Sequence, residues 1–232
     1  MLVPRPTAAR GHFDHGWLET HHSFSFADYF DPDHMGFRSL RVINEDTIAP
    51  GRGFGMHGHR NMEIVTIVLS GSLRHEDSMG NGAAILPGEV QRMTAGSGVR
   101  HSEFNASETD PLHLLQIWIE PDRAELPPSY EQTHFEEEGR TDRLQLVASP
   151  DGREGSVTIH QDATLHRGRL TAGAEVTHRF SEGRGGWLQV IAGEVIAGPH
   201  PLVAGDGLAI EGEPEITIRS DGGGELLLFD LA

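Results

Sequence analysis

The sequence predicts an all-β protein made of two tandem barrels, and three observations carry that expectation. Short β-branched and apolar runs recur along the whole chain, broken by turns that draw on 29 glycines and 13 prolines. That is the grammar of barrels and sandwiches. Helical periodicity is close to absent. A weak internal repeat aligns MEIVTIVLSGSL with GGWLQVIAGEVI, and LPGEVQRMTAG loosely with LVAGDGLAIEG, so one small barrel is written twice.

Taken in order, the strand-like runs are SLRVINEDTIAPG, MEIVTIVLSGSLRHEDSMGNGAAILPGEVQRMTAGSG and HLLQIWIEP in the first half. The second half supplies RLQLVASP, GSVTIHQDATLHRGRL, GGWLQVIAGEVIAG, EITIRS and ELLLFDLA. Between the halves, RAELPPSYEQTHFEEEGRTD reads as a non-strand connector, marked by Pro127, Pro128 and the acidic run Glu136 to Glu138. Those acids read as a solvated face. The expected division is an N-terminal barrel over residues 1–136 and a C-terminal barrel over residues 137–232.

Composition narrows the function classes. With 232 residues, 37% of them hydrophobic, the chain can bury a core. The formal charge is −17, and all 18 basic residues are arginine. That balance argues against phosphate-backbone binding as the main task. No cysteine is present, so neither a disulfide nor a thiolate metal ligand is available. The chain shows no signal-peptide pattern and no apolar run of spanning length, so a cytoplasmic protein without membrane contact is expected.

The stretch GFGMHGHRNMEIV places His57 and His59 two residues apart, with Glu63 four further on. Side chains alternate faces along a strand, so the two histidines project together, and Glu63 joins them if the strand is unbroken. VRHSEFN repeats the spacing with His101 and Glu103. One such pair arises easily among 15 histidines; two matched pairs point to a metal. Imidazole nitrogens with a carboxylate oxygen suit a divalent first-row ion with positions left open, as in non-haem oxygen chemistry. By contrast His12, His15, His21, His22 and His34 share no matched spacing and read as structural or exposed, although a loop there could cover a barrel mouth. In the second half His178 stands without a partner histidine in spacing, and reads as a hydrogen-bonded residue.

The run Gly51-x5-His57-x-His59-x3-Glu63-x7-Gly71 resembles the first cupin motif, and Gly98-x2-His101-x3-Asn105 resembles the end of the second. Over nearly the full length the chain resembles the pirin family of bicupins, in its bacterial quercetin 2,3-dioxygenase-like branch. DHGWLETHHSFSFADYFDPDHMGFRSLRVINED, HGHRNMEIVTIVLSGSLRHEDSMGN, MTAGSGVRHSEFN, HLLQIWI, SYEQ and LLLFDL carry the likeness. The resemblance implies two jelly-roll-like cupin barrels, the first metal-binding and the second degenerate and metal-free. It implies that His57, His59, His101 and Glu103 hold one divalent transition metal per chain. Iron(II) is the implied ion, and manganese, nickel, cobalt, copper or zinc would also suit the donors. Glu63 would then orient a histidine or a water beside that ion. Thr94-Ala95-Gly96 stands where cupins usually have proline-x-glycine, a departure that pirins share.

The implied reaction is cleavage of a flavonol such as quercetin by dioxygen, with release of carbon monoxide. Glu103 would take the substrate proton when its hold on the metal loosens. Phe54, Met56, Phe104, Leu115 and Trp118 are candidates for an apolar pocket. The implied partners are a flat aromatic substrate and dioxygen, without nucleic acid, in a monomer. The alternative function is a non-enzymatic metal- or redox-sensing binding protein, since the same cage occurs in pirins described as regulators. A storage role fits less well with a complete ligand set.

Overall fold

The structure, a computed structural model, describes residues 1–232. Its strands begin with β1 (Leu2–Arg5), β2 (Gly11–Asp14), β3 (Leu18–His22), β4 (Leu40–Ile48), β5 (Gly53–His59), β6 (Glu63–Ser70) and β7 (Leu73–Asp77). Then come β8 (Gly82–Ile85), β9 (Glu89–Thr94), β10 (Val99–Asn105), β11 (Leu112–Ile119), β12 (Ser129–His134), β13 (Leu144–Ser149) and β14 (Val157–Thr158). The last are β15 (Ala163–Leu170), β16 (Glu175–Arg179), β17 (Gly185–Ala197), β18 (His200–Val203), β19 (Gly207–Glu211), β20 (Glu215–Arg219) and β21 (Gly224–Leu231). The helices are three single 3-10 turns, and no helix is long and apolar enough to cross a membrane.

The chain divides into two compact units. One holds residues 11–135 and 157–161; the other holds 1–10, 136–156 and 162–232. The main division at 135/136 lies one residue from the expected boundary, while residues 1–10 and 157–161 each group with the unit opposite to their sequence neighbours. Leu2, Val3, Pro4 and Arg5 of β1 pair with Ile210 to Gly207 of β19, so the first residues belong to the C-terminal unit. Backbone groups decide this, because a strand takes its ladder partner wherever one is open.

In the N-terminal unit a seven-stranded sheet runs β12-β9-β6-β11-β4-β3-β2, and a four-stranded sheet runs β5-β10-β7-β8. The two are not hydrogen-bonded into a closed cylinder, and they pack face to face as a jelly roll. Leu73 and Ile85 of the smaller sheet meet Leu18, Ile48, Val68, Leu112 and Leu114 of the larger in one buried cluster. A second cluster joins Ile64, Met93, Ala95 and Val99, with Trp118 against it. Between the clusters, alternate positions turn polar. His22, Asn44, Gln116, Thr66 and Gln91 stand directly opposite one another across β3, β4, β11, β6 and β9.

The expected connector proves partly ordered. Its Ser129–His134 segment is β12, paired with Thr94 to Glu89 of β9. Tyr130 Oη donates to Gln132 Oε1, and Gln132 Nε2 donates to the Ala84 carbonyl, which pins the strand through side chains that carry little hydrophobic signal.

In the C-terminal unit β17 lies between β19 and β21, and the sheet continues through β15 to β13, with β1 outside β19. Register shifts on β17 between Val190 and Ala192, and the far end of the strand then pairs with β18 and β20. GGWLQVIAGEVIA is thus one 13-residue strand, whereas its counterpart in the first unit breaks at Gly71 into β6 and β7.

Candidate metal centre and pocket

Pairing of β5 with β10 sets His57 opposite His101 and His59 opposite Val99. Register then shifts, so that Glu103 faces Phe54. Gly55 and Met56 oppose the single residue Ser102, a bulge of the kind that re-aims neighbouring side chains. Strand contact here is close. A Cβ on Gly53 would lie 2.1 Å from the Glu103 carbonyl oxygen, so glycine is required at that position.

The imidazoles of His57, His59 and His101 converge, with their ligand atoms within 4.8 Å of one another. His57 Nε2 and His101 Nε2 are 3.0 Å apart. His57 Nδ1 sits 2.8 Å from the Gly55 carbonyl and donates to it, which leaves the lone pair on Nε2 facing the cluster. His59 Nε2 and His101 Nδ1 are buried without a hydrogen-bond partner. Burial, followed by the neighbouring imidazoles, lowers His59 to about 4 and His101 to about 3. Both are neutral at pH 7, as metal ligation demands.

Glu103 is buried beside this cluster and accepts from Gln116 Nε2 through both oxygens, at 3.0 and 2.9 Å. With His101 it forms a second convergent group whose third member is His75. Sequence spacing missed His75. It is brought in by β7, which pairs with β10 so that His75 opposes Glu103 and Asp77 opposes His101. These donors fit a divalent transition ion: neutral nitrogens, one carboxylate, and buried lone pairs without protein partners.

Glu63 is not part of this group. The strand does not run straight through, since β5 ends at His59 and β6 begins at Glu63. Glu63 faces the other side of its sheet. Thr94 Oγ1 donates to it at 3.0 Å, and His160 Nδ1 lies 3.4 Å away. Burial pushes its carboxyl up. It has no contact through which to orient a metal-ligating histidine.

Beside the cluster lies a cavity of about 600 Å³. His57, His59 and Glu103 border it, Trp17, Phe26, Phe54 and Trp118 supply aromatic walls, and Thr20, His22, Asn44, Asp46 and Gln116 supply polar ones. Phe54 and Trp118 therefore line it as expected from the sequence; Met56, Phe104 and Leu115 do not. Met56 is 48% exposed at the bulge, Phe104 lies under the Arg74 guanidinium, and Leu115 is buried next to Glu45 and Ile67 in register. The N-terminal histidines also separate. His12 and His21 stack on each other, whereas His15 and His22 reach the cavity because β2 and β3 extend the large sheet as strands. Alternation of polar residues in LETHH and VINED was the available signal for this wall.

Two sheets packed as a jelly roll around a histidine and carboxylate cluster, followed by a second unit of related strand order, define the bicupin class. A family model described as Pirin matches residues 4–119, and one described as Quercetinase C-terminal cupin domain matches residues 146–231. This chain belongs to the pirin family. It is 48% identical over 231 residues to the quercetin 2,3-dioxygenase of Escherichia coli strain K12, covering 100% of this chain and 99% of that protein. A pirin-like protein of Caulobacter vibrioides is 39% identical over 233 residues, covering both chains in full. The crystal structure of the bacterial pirin YhhW from Escherichia coli in complex with nickel(II) superposes with a TM-score of 0.95 at 47% identity, covering 100% of this chain and 99% of that one.

Proposed function

We propose that this chain is a metal-dependent dioxygenase that cleaves a flavonol such as quercetin with dioxygen and releases carbon monoxide. His57, His59, His101 and Glu103 hold the ion in this proposal, and iron(II) is the metal assigned to it. The observation that carries the proposal is the convergence of the His57, His59 and His101 imidazoles, with Glu103 grouped next to His101, beside an aromatic-walled cavity, of a size usual for small-molecule sites. Full-length similarity to a quercetin 2,3-dioxygenase supports the choice of reaction.

A divalent ion, when bound, supplies Lewis acidity toward an enolisable hydroxyl and a template for orientation. The protein does the rest. Trp17, Phe26, Phe54 and Trp118 grip the flat body of the substrate and exclude water from it. Glu103 takes the proton of the reacting hydroxyl, within hydrogen-bond reach of the same cavity. Gln116 donates to both oxygens of that carboxylate, which keeps it beside the cavity when its hold on the ion loosens.

The test is oxygen uptake and carbon monoxide release by protein reconstituted with iron(II) and, separately, with nickel(II), across flavonols and other enolisable compounds. Flavonol-dependent uptake matched by carbon monoxide supports the assignment. Metal-loaded protein that binds flavonols yet consumes no oxygen would favour a sensing role instead.

A further inference from the structure

The wall formed by β3 and β4 carries an arrangement that metal binding does not explain. Four inward positions, Thr20, His22, Asn44 and Asp46, are polar and buried, in a layer where apolar side chains would pack more favourably. Cross-strand pairing sets Thr20 against Asp46 and His22 against Asn44. Thr20 Oγ1 donates to Asp46 Oδ1 at 2.5 Å, and His22 Nδ1 donates to Asn44 Oδ1 at 2.6 Å. Each bond fixes one side of its acceptor. The second carboxylate oxygen of Asp46 and the amide nitrogen of Asn44 are left to the cavity that both residues line.

We propose that Asp46 and Asn44 form a specificity subsite that reads hydroxyl groups on the part of the substrate that lies against β4. The proposal rests on the flavonol assignment above and adds the residues that read the hydroxyls of the pendant ring. A phenolic hydroxyl donates to Asp46, and an adjacent oxygen accepts from Asn44. Three further observations agree. The pair belongs to the seven-stranded sheet, whereas His57, His59, His101 and Glu103 belong to the four-stranded one, so a flat molecule between the sheets meets both. Asp46 is only 5% exposed and has one hydrogen-bond donor, a poorly satisfied state for a carboxyl. Burial, and with it the negative charges of Glu103 and Glu45, raises that carboxyl to about 7 against the lowering effect of the Thr20 hydrogen bond.

Trp17 and Trp118 border the cavity, so quenching of intrinsic fluorescence reports binding without turnover. Metal-reconstituted protein is titrated under anaerobic conditions with quercetin and with the flavonol that lacks both pendant-ring hydroxyls. Wild type should bind quercetin more tightly. Asp46→Asn, which keeps an acceptor for Thr20 but turns an amide nitrogen to the cavity, should weaken quercetin about three- to tenfold, the usual loss for a hydrogen bond, and leave the other flavonol unchanged. Asn44→Ala should weaken quercetin about three- to tenfold, with the same selectivity. It carries the test alone if Asp46→Asn does not fold, as judged by circular dichroism and metal content. Equal losses for both flavonols, or none, overturn the subsite, as does wild type binding the two equally. Wild type that binds neither overturns the flavonol assignment and the subsite with it.

Discussion

The two units use the same ladder to opposite ends. In the first, β5 pairs with β10 so that His57 meets His101 and His59 meets Val99. In the second, β16 pairs with β20 so that Val176 meets Ile218 and His178 meets Ile216. Position for position, Val176 and Ile218 stand where two of the imidazoles stand. Ile216 and Ile218 join Leu188, Leu208, Leu226 and Leu228 in a buried apolar cluster, each such side chain contributing about 1.5–3 kcal/mol. His178, the residue that keeps its place, is bound at 2.8 Å to Asp230, whose other oxygen takes a short bond from Arg184 Nε. Its counterpart His59 instead packs edge-on against Trp118 with Nε2 unpartnered. One unit fills its interior for stability, and the other keeps unsatisfied lone pairs there, a cost characteristic of functional sites.

The comparison breaks most sharply at Glu103. Glu103→Gln keeps size and removes charge, and is expected to weaken metal retention and abolish flavonol-dependent oxygen uptake together. Metal analysis of wild type should give about one ion per chain, because an ion at His178 would have to displace the Arg184 contact to Asp230. Two tightly held ions would overturn the contrast between the units.

The next effect is on stability. Ile218→Ala should cost about 2–5 kcal/mol in urea denaturation, as a large-to-small change in a packed core. His101→Ala at the matching position, in metal-free protein, should cost less than about 1 kcal/mol, since it also removes a buried nitrogen that has no partner. A loss at His101 as large as that at Ile218 would mean that both units pack their centres alike.

A smaller and more specific effect appears with pH. His59 and His101 are held near 4 and 3 in the folded metal-free protein, whereas an unfolded histidine titrates near 6.5. As pH falls through 6.5 the unfolded chain gains protons that the folded chain refuses, so stability is lost from about pH 6.5 down to about 4 for His59 and about 3 for His101. Asp46 acts in the opposite direction, because its raised carboxyl binds a proton in the folded state first. The difference between variant and wild type isolates one group. His101→Ala should flatten the slope by up to about 1.4 kcal/mol per pH unit over that window. An unchanged slope would show that His101 titrates normally.

Much of this was legible in the sequence, for reasons that residues make plain. Two HxH or HxE pairs on alternating strands announce convergent donors whatever the barrel does around them, so His57, His59, His101 and Glu103 could be named from spacing and resemblance. His75 and Gln116 could not, because they reach Glu103 through β7 and the facing sheet, and no local pattern encodes which strand lies opposite. The segment at residues 129–134 reads as loop, since its strand is fixed by side-chain hydrogen bonds and not by apolar alternation. β1 crosses to the second unit because an edge was open at β19, a fact of tertiary pairing alone.

The smallest expected effect concerns the acid that spacing places nearest the histidines. Glu63 is four residues from His59, yet the chain turns between them and sets the carboxylate on the far face of the large sheet, against Thr94 and His160. Glu63→Gln retains an acceptor for the Thr94 hydroxyl and removes a buried carboxyl that burial already pushes toward its neutral form. Metal content and oxygen uptake should therefore match wild type under the same loading protocol that empties Glu103→Gln. A Glu63→Gln variant that loses its metal while Glu103→Gln retains it would place the ligating carboxylate on β6. Glu103 would then act only as a base beside a three-histidine ion, and the break between β5 and β6 would have to close when the metal binds.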